Sequence, residues 1–226
     1  MYAKYFKRVL DFTLSLGALI VLSPVLLVLA VLGAVKMKGN PFFTQLRPGK
    51  DEKIFRLIKF RSMTCETGAQ GNPLPDEVRL TRYGKLLRST SLDELPELIN
   101  ILKGDMSIVG PRPQLVRDMV FMTPEQRRRH SVRPGLTGLA QVSGRNNITW
   151  EQKFEYDLEY LDGGITLVND VKIIMKTVEK VFRREDTVRE GTASDLDFGD
   201  WLLQNGEVSA ADYEVRQKEA RALMEA

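Results

Sequence analysis

Two adjacent carboxylates lie between two arginines in one short stretch of this chain. Asp93 and Glu94 follow Arg88 and precede Arg112 in the run GKLLRSTSLDELPELINILKGDMSIVGPRP, residues 84–113. Guanidinium groups bind phosphate oxygens through a planar fork of N–H donors. Carboxylates can hold a divalent cation, and an ionised carboxylate can also attack phosphorus. The pattern therefore predicts a site that handles phosphorylated compounds, with the two carboxylates at its centre.

A helix is predicted to position these carboxylates. Ser91 and Glu94 have the spacing of a capping box, and leucines and isoleucines recur at helical spacing over 92–102. Because Pro96 is tolerated only near a helix start, Asp93 and Glu94 are expected in the first turn. The helix dipole there favours ionised carboxylates and phosphate oxygens. Acidic residues are also common in first turns as plain capping residues, and only the bracketing arginines favour the chemical role.

A second candidate anion site lies in the glycine-rich run RPGLTGLAQVSGRN, residues 133–146. Gly135, Gly138 and Gly144 allow backbone N–H groups to approach an anion closely. Ordinary turns explain these glycines equally well, so the run alone does not decide between the two interpretations.

A long apolar run near the N-terminus predicts a membrane element. Residues 9–35 carry Asp11 as their only charge, and about 20 apolar helical residues suffice to cross a bilayer core. Basic residues flank the run on both sides, as expected for two ends in the cytosol. Pro24 removes a backbone N–H near the middle, and the Ser23 hydroxyl can bond the freed carbonyl of Ile20. We therefore favour a re-entrant helix broken at Ser23 and Pro24 over a straight span or a buried core helix.

The rest of the chain fits a compact domain. The 226 residues have a formal net charge of +3, too small to indicate nucleic-acid binding. Cys65 is the only cysteine, which excludes an intramolecular disulfide and fits a reducing compartment. Extended segments at 42–44 and 53–63 predict a small β element. Amphipathic patterns from residue 149 and over 165–184 predict helices that pack on the core or lie in a membrane interface.

Together these features predict a mostly helical α+β fold in three parts. The first is a re-entrant membrane helical hairpin over 1–38. The second is a compact cytosolic catalytic domain over 39–185, with amphipathic interface helices and a small β element. The third is an acidic C-terminal extension over 186–226, whose role the sequence does not indicate.

Three motifs in order resemble one family. KFRSM (59–63), TRYGKLLRSTSLDELPELINILKGDMSIVGPRP (81–113) and RPGLTGLAQVSGRN (133–146) are similar to motifs of the bacterial polyprenyl-phosphate glycosyl-1-phosphate transferases. The small monotopic, PglC-like phosphoglycosyl transferases are the nearest match, and the apolar run with its central Ser-Pro is similar to their re-entrant membrane helix. The resemblance covers roughly residues 4–184 and leaves the acidic extension without a counterpart.

The resemblance implies a reaction at the cytoplasmic face of the bacterial inner membrane. A sugar-1-phosphate passes from a UDP-sugar to undecaprenyl phosphate and UMP leaves, through a covalent aspartyl–phosphosugar intermediate on Asp93. It also implies Mg²⁺ held by Asp93 and Glu94, contact with membrane lipid and no nucleic-acid partner, and it leaves a homodimer open. The residues expected to bind phosphate or complete the polar wall are Lys59, Arg88, Arg112, Gln141, Arg145 and Asp157.

Two other functions use the same residues. A membrane-associated, metal-dependent phosphohydrolase of nucleotide sugars needs the same carboxylates and arginines but no lipid acceptor. A non-catalytic basic adaptor would use its lysines and arginines only to steer anionic lipid or nucleic acid, and it predicts that Asp93 and Glu94 tolerate alanine.

Overall fold

A computed structural model of the chain describes residues 1–68, 71–72, 74–144, 148–183 and 196–225. The fold is mostly helical, as predicted, and it has two small sheets where one small β element was predicted. The helices are α1 (Lys7–Lys36), α2 (Asp76–Arg79), α3 (Arg82–Ser89), α4 (Glu97–Lys103), α5 (Val116–Met119), α6 (Pro124–Arg127), α7 (Leu139–Ser143), α8 (Trp150–Asp162), α9 (Leu167–Arg183), α10 (Phe198–Gln204) and α11 (Ala210–Glu225). The strands are β1 (Phe42–Pro48), β2 (Ile54–Phe60), β3 (Ser107–Val109) and β4 (Gly135–Thr137).

The predicted β element is an antiparallel hairpin of β1 and β2. Phe42 pairs with Phe60 and Pro48 with Ile54, so β1 is longer than predicted and β2 is shorter. The buried side chain of Asn100 on α4 holds the hairpin against the helix, because it accepts from the Ile58 amide at 3.1 Å and donates to the Arg56 carbonyl at 2.8 Å. This junction fixes the end of β2, and with it Lys59, beside the start of α4.

The glycine-rich run contributes to a second sheet, in which β3 and β4 are parallel. A side chain on Gly135 would overlap the backbone of Gly110, and one on Gly138 would overlap the Gly110 carbonyl. These glycines therefore serve close backbone packing. At these two positions this favours the interpretation as ordinary structural glycines over the interpretation as an anion site.

The apolar run forms one long helix. α1 continues through Ser23 and Pro24, so the predicted division into two helices is not seen. Ser23 Oγ donates to the Ile20 carbonyl at 2.8 Å, as predicted, and so bonds the acceptor that the proline leaves without its usual N–H donor. This local repair explains how the helix tolerates Pro24.

One face of α1 packs on the rest of the chain over most of its length. Near its start, Asp11 accepts from Ser107 Oγ at 2.8 Å and from the Ile108 amide at 3.0 Å. Near its end, Leu29 packs with Phe60, and the Leu29 carbonyl accepts from a tyrosine hydroxyl of α3. Asp11, the only charge in the apolar run, is thus buried and binds α1 to β3 through these two hydrogen bonds.

The opposite face of α1 is apolar and exposed. Its exposed side chains include Phe12, Ile20, Val21, Leu27 and Val35. By length and composition the helix can cross a membrane, and only 11% of its most apolar window is buried. That exposure argues against a buried core helix.

The C-terminal extension contacts the domain through α10 and α11. Phe198 lies in one apolar cluster with Trp150 and Phe154 of α8, and its amide donates to the buried Asp118 carboxylate at 2.9 Å. Ala220 of α11 is fully buried in the same cluster. The extension therefore adds to the core, although no structural role was predicted for it.

Candidate active site

The two carboxylates lie on a short 3₁₀ turn, Leu92–Glu94, between α3 and α4. Ser91 has a left-handed backbone (φ 55°) and makes no side-chain cap bond, and α4 begins only at Glu97. The predicted capping box at Ser91 is therefore wrong. Asp93 and Glu94 do lie in the first turn of a helix, as predicted, but that helix is the 3₁₀ turn and not α4. The left-handed Ser91 follows the last residues of α3, a position at which this backbone conformation commonly ends a helix.

Glu94 is held by two cations. Its Oε1 lies 2.9 Å from Lys59 Nζ and 2.5 Å from Arg112 Nη2. Although burial acts to raise it, the charges of Arg112 and Lys59 keep the pKa of Glu94 well below its usual range. In return, Glu94 raises the pKa of Arg112. Glu94 is therefore a fixed anion that aligns two predicted phosphate-binding residues.

Asp93 is in a different state. Within the described ranges, no hydrogen bond or ion pair engages its carboxylate, and the side chain is partly exposed. Burial and the neighbouring Glu94 raise its pKa, while Lys59, Arg112 and Arg88 act to lower it. Of two adjacent carboxylates, one is held and the other is available for a reaction.

A third carboxylate, Glu97, was not predicted. It is 1% exposed and its Oε1 lies 3.1 Å from Lys59 Nζ, so Lys59 lies between two acidic side chains. Burial, together with the charge of Glu94, raises the pKa of Glu97 to about 7 despite Lys59 and Arg112. In the sequence Glu97 looks like an ordinary first-turn acid, and no local pattern indicates that it is buried.

The raised pKa predicts a pH effect on stability. Because folded Glu97 holds its proton more tightly than the unfolded chain does, its contribution is full below pH 4.5 and is lost as the pH rises to about 7. The loss is at most about 3 kcal/mol. We expect Glu97→Gln to raise the unfolding temperature at pH 8 more than at pH 5. Glu77→Gln, an exposed change on α2, serves as the control, and equal shifts for both variants would contradict the assignment.

Arg112 is positioned from behind by a buried ion pair. Arg129 Nη2 donates to the Arg112 carbonyl at 2.6 Å and to Asp157 Oδ2 at 2.6 Å. Both side chains of this pair are nearly inaccessible, at 1% and 3% exposure. Asp157 was predicted to complete the polar wall, but it does not form part of that wall directly. It supports Arg112 through Arg129 instead. Arg129 was missed because it lies in a run of charges, 127–130, that is typical of a solvated surface.

The remaining predicted residues have different environments. Arg88 Nε donates to Ser62 Oγ at 3.0 Å, and its charge acts on Asp93. Gln141 donates through Nε2 to the Leu136 carbonyl at 3.0 Å, and its buried Oε1 accepts no hydrogen bond from the residues that the structure describes. Arg145 lies outside the described residues, so its predicted role remains a prediction.

A cavity of about 240 Å³ adjoins the dyad. Glu94 lies at its wall together with Gln141, and most of the remaining wall is aliphatic, from β3, β4, α7 and α9. The site thus combines a charged pocket around the dyad with an apolar chamber beside it.

The family model of bacterial sugar transferases matches residues 2–184. This match covers α1 and every element of the site, and it ends before α10. The chain belongs to the bacterial sugar transferase family. The family inferred from the three motifs is thereby confirmed, and the protein is a sugar transferase enzyme.

Relatives of this sugar transferase include three proteins, two of which have names that specify a reaction. An uncharacterized sugar transferase of Bacillus subtilis, EpsL, is 48% identical over 179 residues, which cover 79% of this chain and 88% of the relative. The UDP-glucose:undecaprenyl-phosphate glucose-1-phosphate transferase of Klebsiella pneumoniae is 43% identical over 187 residues, covering 78% of this chain and 40% of the relative. The undecaprenyl-phosphate galactose phosphotransferase of Salmonella typhimurium is 35% identical over 201 residues, which cover 81% of this chain and 42% of the relative. The match thus covers less than half the length of the last two relatives.

The dyad of this sugar transferase fits the Mg²⁺ that the family resemblance implies. Both described bonds of Glu94 fall on Oε1, which leaves Oε2, and the Asp93 carboxylate has no described partner. In the described part of the chain, no three acidic, histidine or cysteine side chains form a closed metal cage. Mg²⁺ commonly takes one or two carboxylates and fills its other positions with water and substrate phosphate.

Proposed function

We propose that this enzyme transfers a sugar-1-phosphate from a UDP-sugar to undecaprenyl phosphate and releases UMP. The named reactions of the Klebsiella and Salmonella relatives support the two substrates. The observation that carries the proposal is the unequal dyad, with Glu94 bonded to Lys59 and Arg112 and Asp93 left accessible. Such an arrangement suits a nucleophile beside a fixed charge clamp.

In the first step, a carboxylate oxygen of Asp93 attacks the β-phosphorus of the UDP-sugar. A new bond joins this oxygen to phosphorus, and the bond from phosphorus to the bridging oxygen breaks. UMP leaves with that electron pair, and the sugar-phosphate stays on Asp93. An ionised carboxylate needs no base to prepare it. Burial and the charge of Glu94 raise the pKa of Asp93, so the surrounding cations have to lower this pKa enough to keep Asp93 ionised.

In the second step, a phosphate oxygen of the acceptor attacks the same phosphorus. The bond to the Asp93 oxygen breaks, the carboxylate regains its charge, and the product is a polyprenyl diphosphate sugar. Both nucleophiles are anions, so no proton has to move in either step. The main barrier is the repulsion between an anion and the phosphate oxygens, which positioned cations reduce.

Arg112 and Lys59 supply that positive charge. Arg112 uses Nη2 for Glu94, but its side chain is 38% exposed and its guanidinium has further N–H donors for phosphate oxygens. Arg88 and Arg145 are proposed to bind phosphate oxygens as well. Mg²⁺, held by Asp93 and Glu94 Oε2, would neutralise phosphate oxygens where charge develops.

A UMP-release assay tests this function against its main alternative. Purified enzyme in detergent is given a panel of UDP-sugars with and without undecaprenyl phosphate. We expect continuous UMP release and a lipid-linked sugar-phosphate only when the acceptor is present. Continuous release of free sugar-phosphate without acceptor would indicate a phosphohydrolase instead.

We also propose that the enzyme is monotopic at the cytoplasmic face, with α1 inserted from one side as a re-entrant element. Basic residues flank both ends of the apolar run, and both ends of α1 contact the same domain. A straight crossing would carry one end of the helix away from that domain. The exposed apolar face of α1 is then the face that meets lipid.

Cysteine labelling tests this topology. In a Cys65→Ser background, Lys4→Cys and Lys36→Cys each place one exposed thiol at one end of α1. We expect an impermeant maleimide to label both from the cytoplasmic side of oriented membrane vesicles. The exposed native Cys65 serves as the control for the side on which the domain lies. Labelling of the two ends from opposite sides would reject the re-entrant arrangement.

A further inference from the structure

The apolar chamber beside the dyad is not used by the chemistry proposed above. Its wall includes Ile108 of β3, Leu136 of β4, Val142 of α7 and Ile174 of α9, and Glu94 lies at the same wall. An apolar chamber beside a carboxylate that holds two cations suits a ligand with an anionic end and a hydrocarbon body.

The chamber connects with an exposed apolar stripe on α9. Leu167, Val168, Val171, Met175 and Val178 are all at least 45% exposed and recur at helical spacing. Val178 belongs to this stripe and also lines the chamber. An apolar route therefore leads from the outer face of α9 to the dyad.

The polar side chains of the wall do not favour a sugar, because most of them already have partners. Besides Glu94, two threonines and a glutamine, the wall includes Ser91 and Lys180, which both have interactions of their own. Thr137 and Thr177 hydroxyls bond each other at 2.6 Å, and Thr177 donates to the Ile173 carbonyl at 2.8 Å. Gln141 has only its Oε1 without a described partner. A sugar ring buried here would leave most of its hydroxyls without partners, at a cost for each that a hydrocarbon chain does not incur.

We infer that this chamber binds the first isoprenoid units of the polyprenyl phosphate acceptor, with the acceptor phosphate at the Glu94 end and the remaining chain leaving along α9. This inference rests on the proposed function. The volume of about 240 Å³ is smaller than a pocket for a whole drug-sized ligand, roughly 300–1,000 Å³, so the chamber holds only the start of a long chain. Lys59 and Arg112 beside Glu94 provide the positive charge for the phosphate.

A pair of substitutions tests the site. Ile174→Trp fills the chamber, while Val215→Trp makes a similar change on α11, at a side chain that is 65% exposed and lies outside both the chamber wall and the apolar stripe. We expect Ile174→Trp to raise the KM for undecaprenyl phosphate by about 10-fold to 200-fold, as for a misfit in an apolar pocket. The KM for the UDP-sugar should change less than about twofold, and Val215→Trp should resemble the native enzyme in both constants.

Further readouts keep the outcomes distinct. Val178→Trp narrows the chamber from the exposed stripe, and it replaces Ile174→Trp if that variant does not fold. Direct binding of undecaprenyl phosphate in micelles is measured as well, so that the chamber can be tested even if the native enzyme shows no transfer and the proposed function fails. A raised KM for the UDP-sugar with an unchanged acceptor KM would assign the chamber to the donor and overturn the inference. Unchanged acceptor binding and KM in a folded chamber variant would overturn it too.

Discussion

Asp93→Asn is expected to abolish sugar-phosphate transfer, with turnover lowered by at least about 10³-fold. The amide has nearly the shape of the carboxylate but is not a nucleophile of comparable strength. The fold should survive, since no described bond depends on the Asp93 side chain and the loss of its charge relieves repulsion with Glu94. Turnover is measured as lipid-linked product at saturating UDP-sugar and acceptor, together with the unfolding temperature.

Asp51→Asn is the matched control for that experiment. Asp51 is exposed on the turn between β1 and β2 and has a left-handed backbone (φ 54°), which asparagine tolerates. This variant should transfer at the native rate. An Asp93→Asn enzyme that keeps native turnover would reject Asp93 as the nucleophile, and with it the two-step scheme.

Asp157→Asn is expected to cause the largest loss of stability. The change leaves the nearly inaccessible Arg129 without its anionic partner, and breaking such a buried pair costs about 3–5 kcal/mol. For a chain of this size, that loss lowers the unfolding temperature by about 6–20 °C. Turnover should fall as well in the folded fraction, because Arg129 also holds the Arg112 carbonyl.

Asp162→Asn on the same helix provides the comparison. Asp162 pairs with Arg128, but the two side chains are 56% and 45% exposed. Exposed pairs contribute about 0–1 kcal/mol, so the unfolding temperature should change little. Similar shifts for Asp157→Asn and Asp162→Asn would show that Asp157 does not support the site through a buried pair.

Local patterns predicted the elements that carry the site. The extended segments at 42–44 and 53–63 predicted the small β element that presents Lys59, and the amphipathic pattern from residue 149 predicted α8. The helical pattern over 165–184 predicted α9 to within two residues at its start. These features depend on neighbours in the sequence, which a pattern can show.

The errors lie where distant contacts override local preference. The spacing of Ser91 and Glu94 suggested a capping box, yet Lys59 and Arg112 hold the Glu94 carboxylate, and Ser91 adopts a left-handed turn. Glu97 and Arg129 look like surface charges in sequence and are buried by partners distant in the chain. The helix through Pro24 depends on one side-chain bond, which the sequence permitted but could not require.

A covalent bond between Asp93 and the sugar-phosphate is the central step of the proposed mechanism. Mass spectrometry of enzyme incubated with UDP-sugar and Mg²⁺, without acceptor, tests it directly. We predict a mass increase of one sugar-phosphate per chain, located on the peptide that contains Asp93 and lost when undecaprenyl phosphate is added. Transfer to the lipid without such an adduct under rapid quenching, or an adduct on a different residue, would contradict the account.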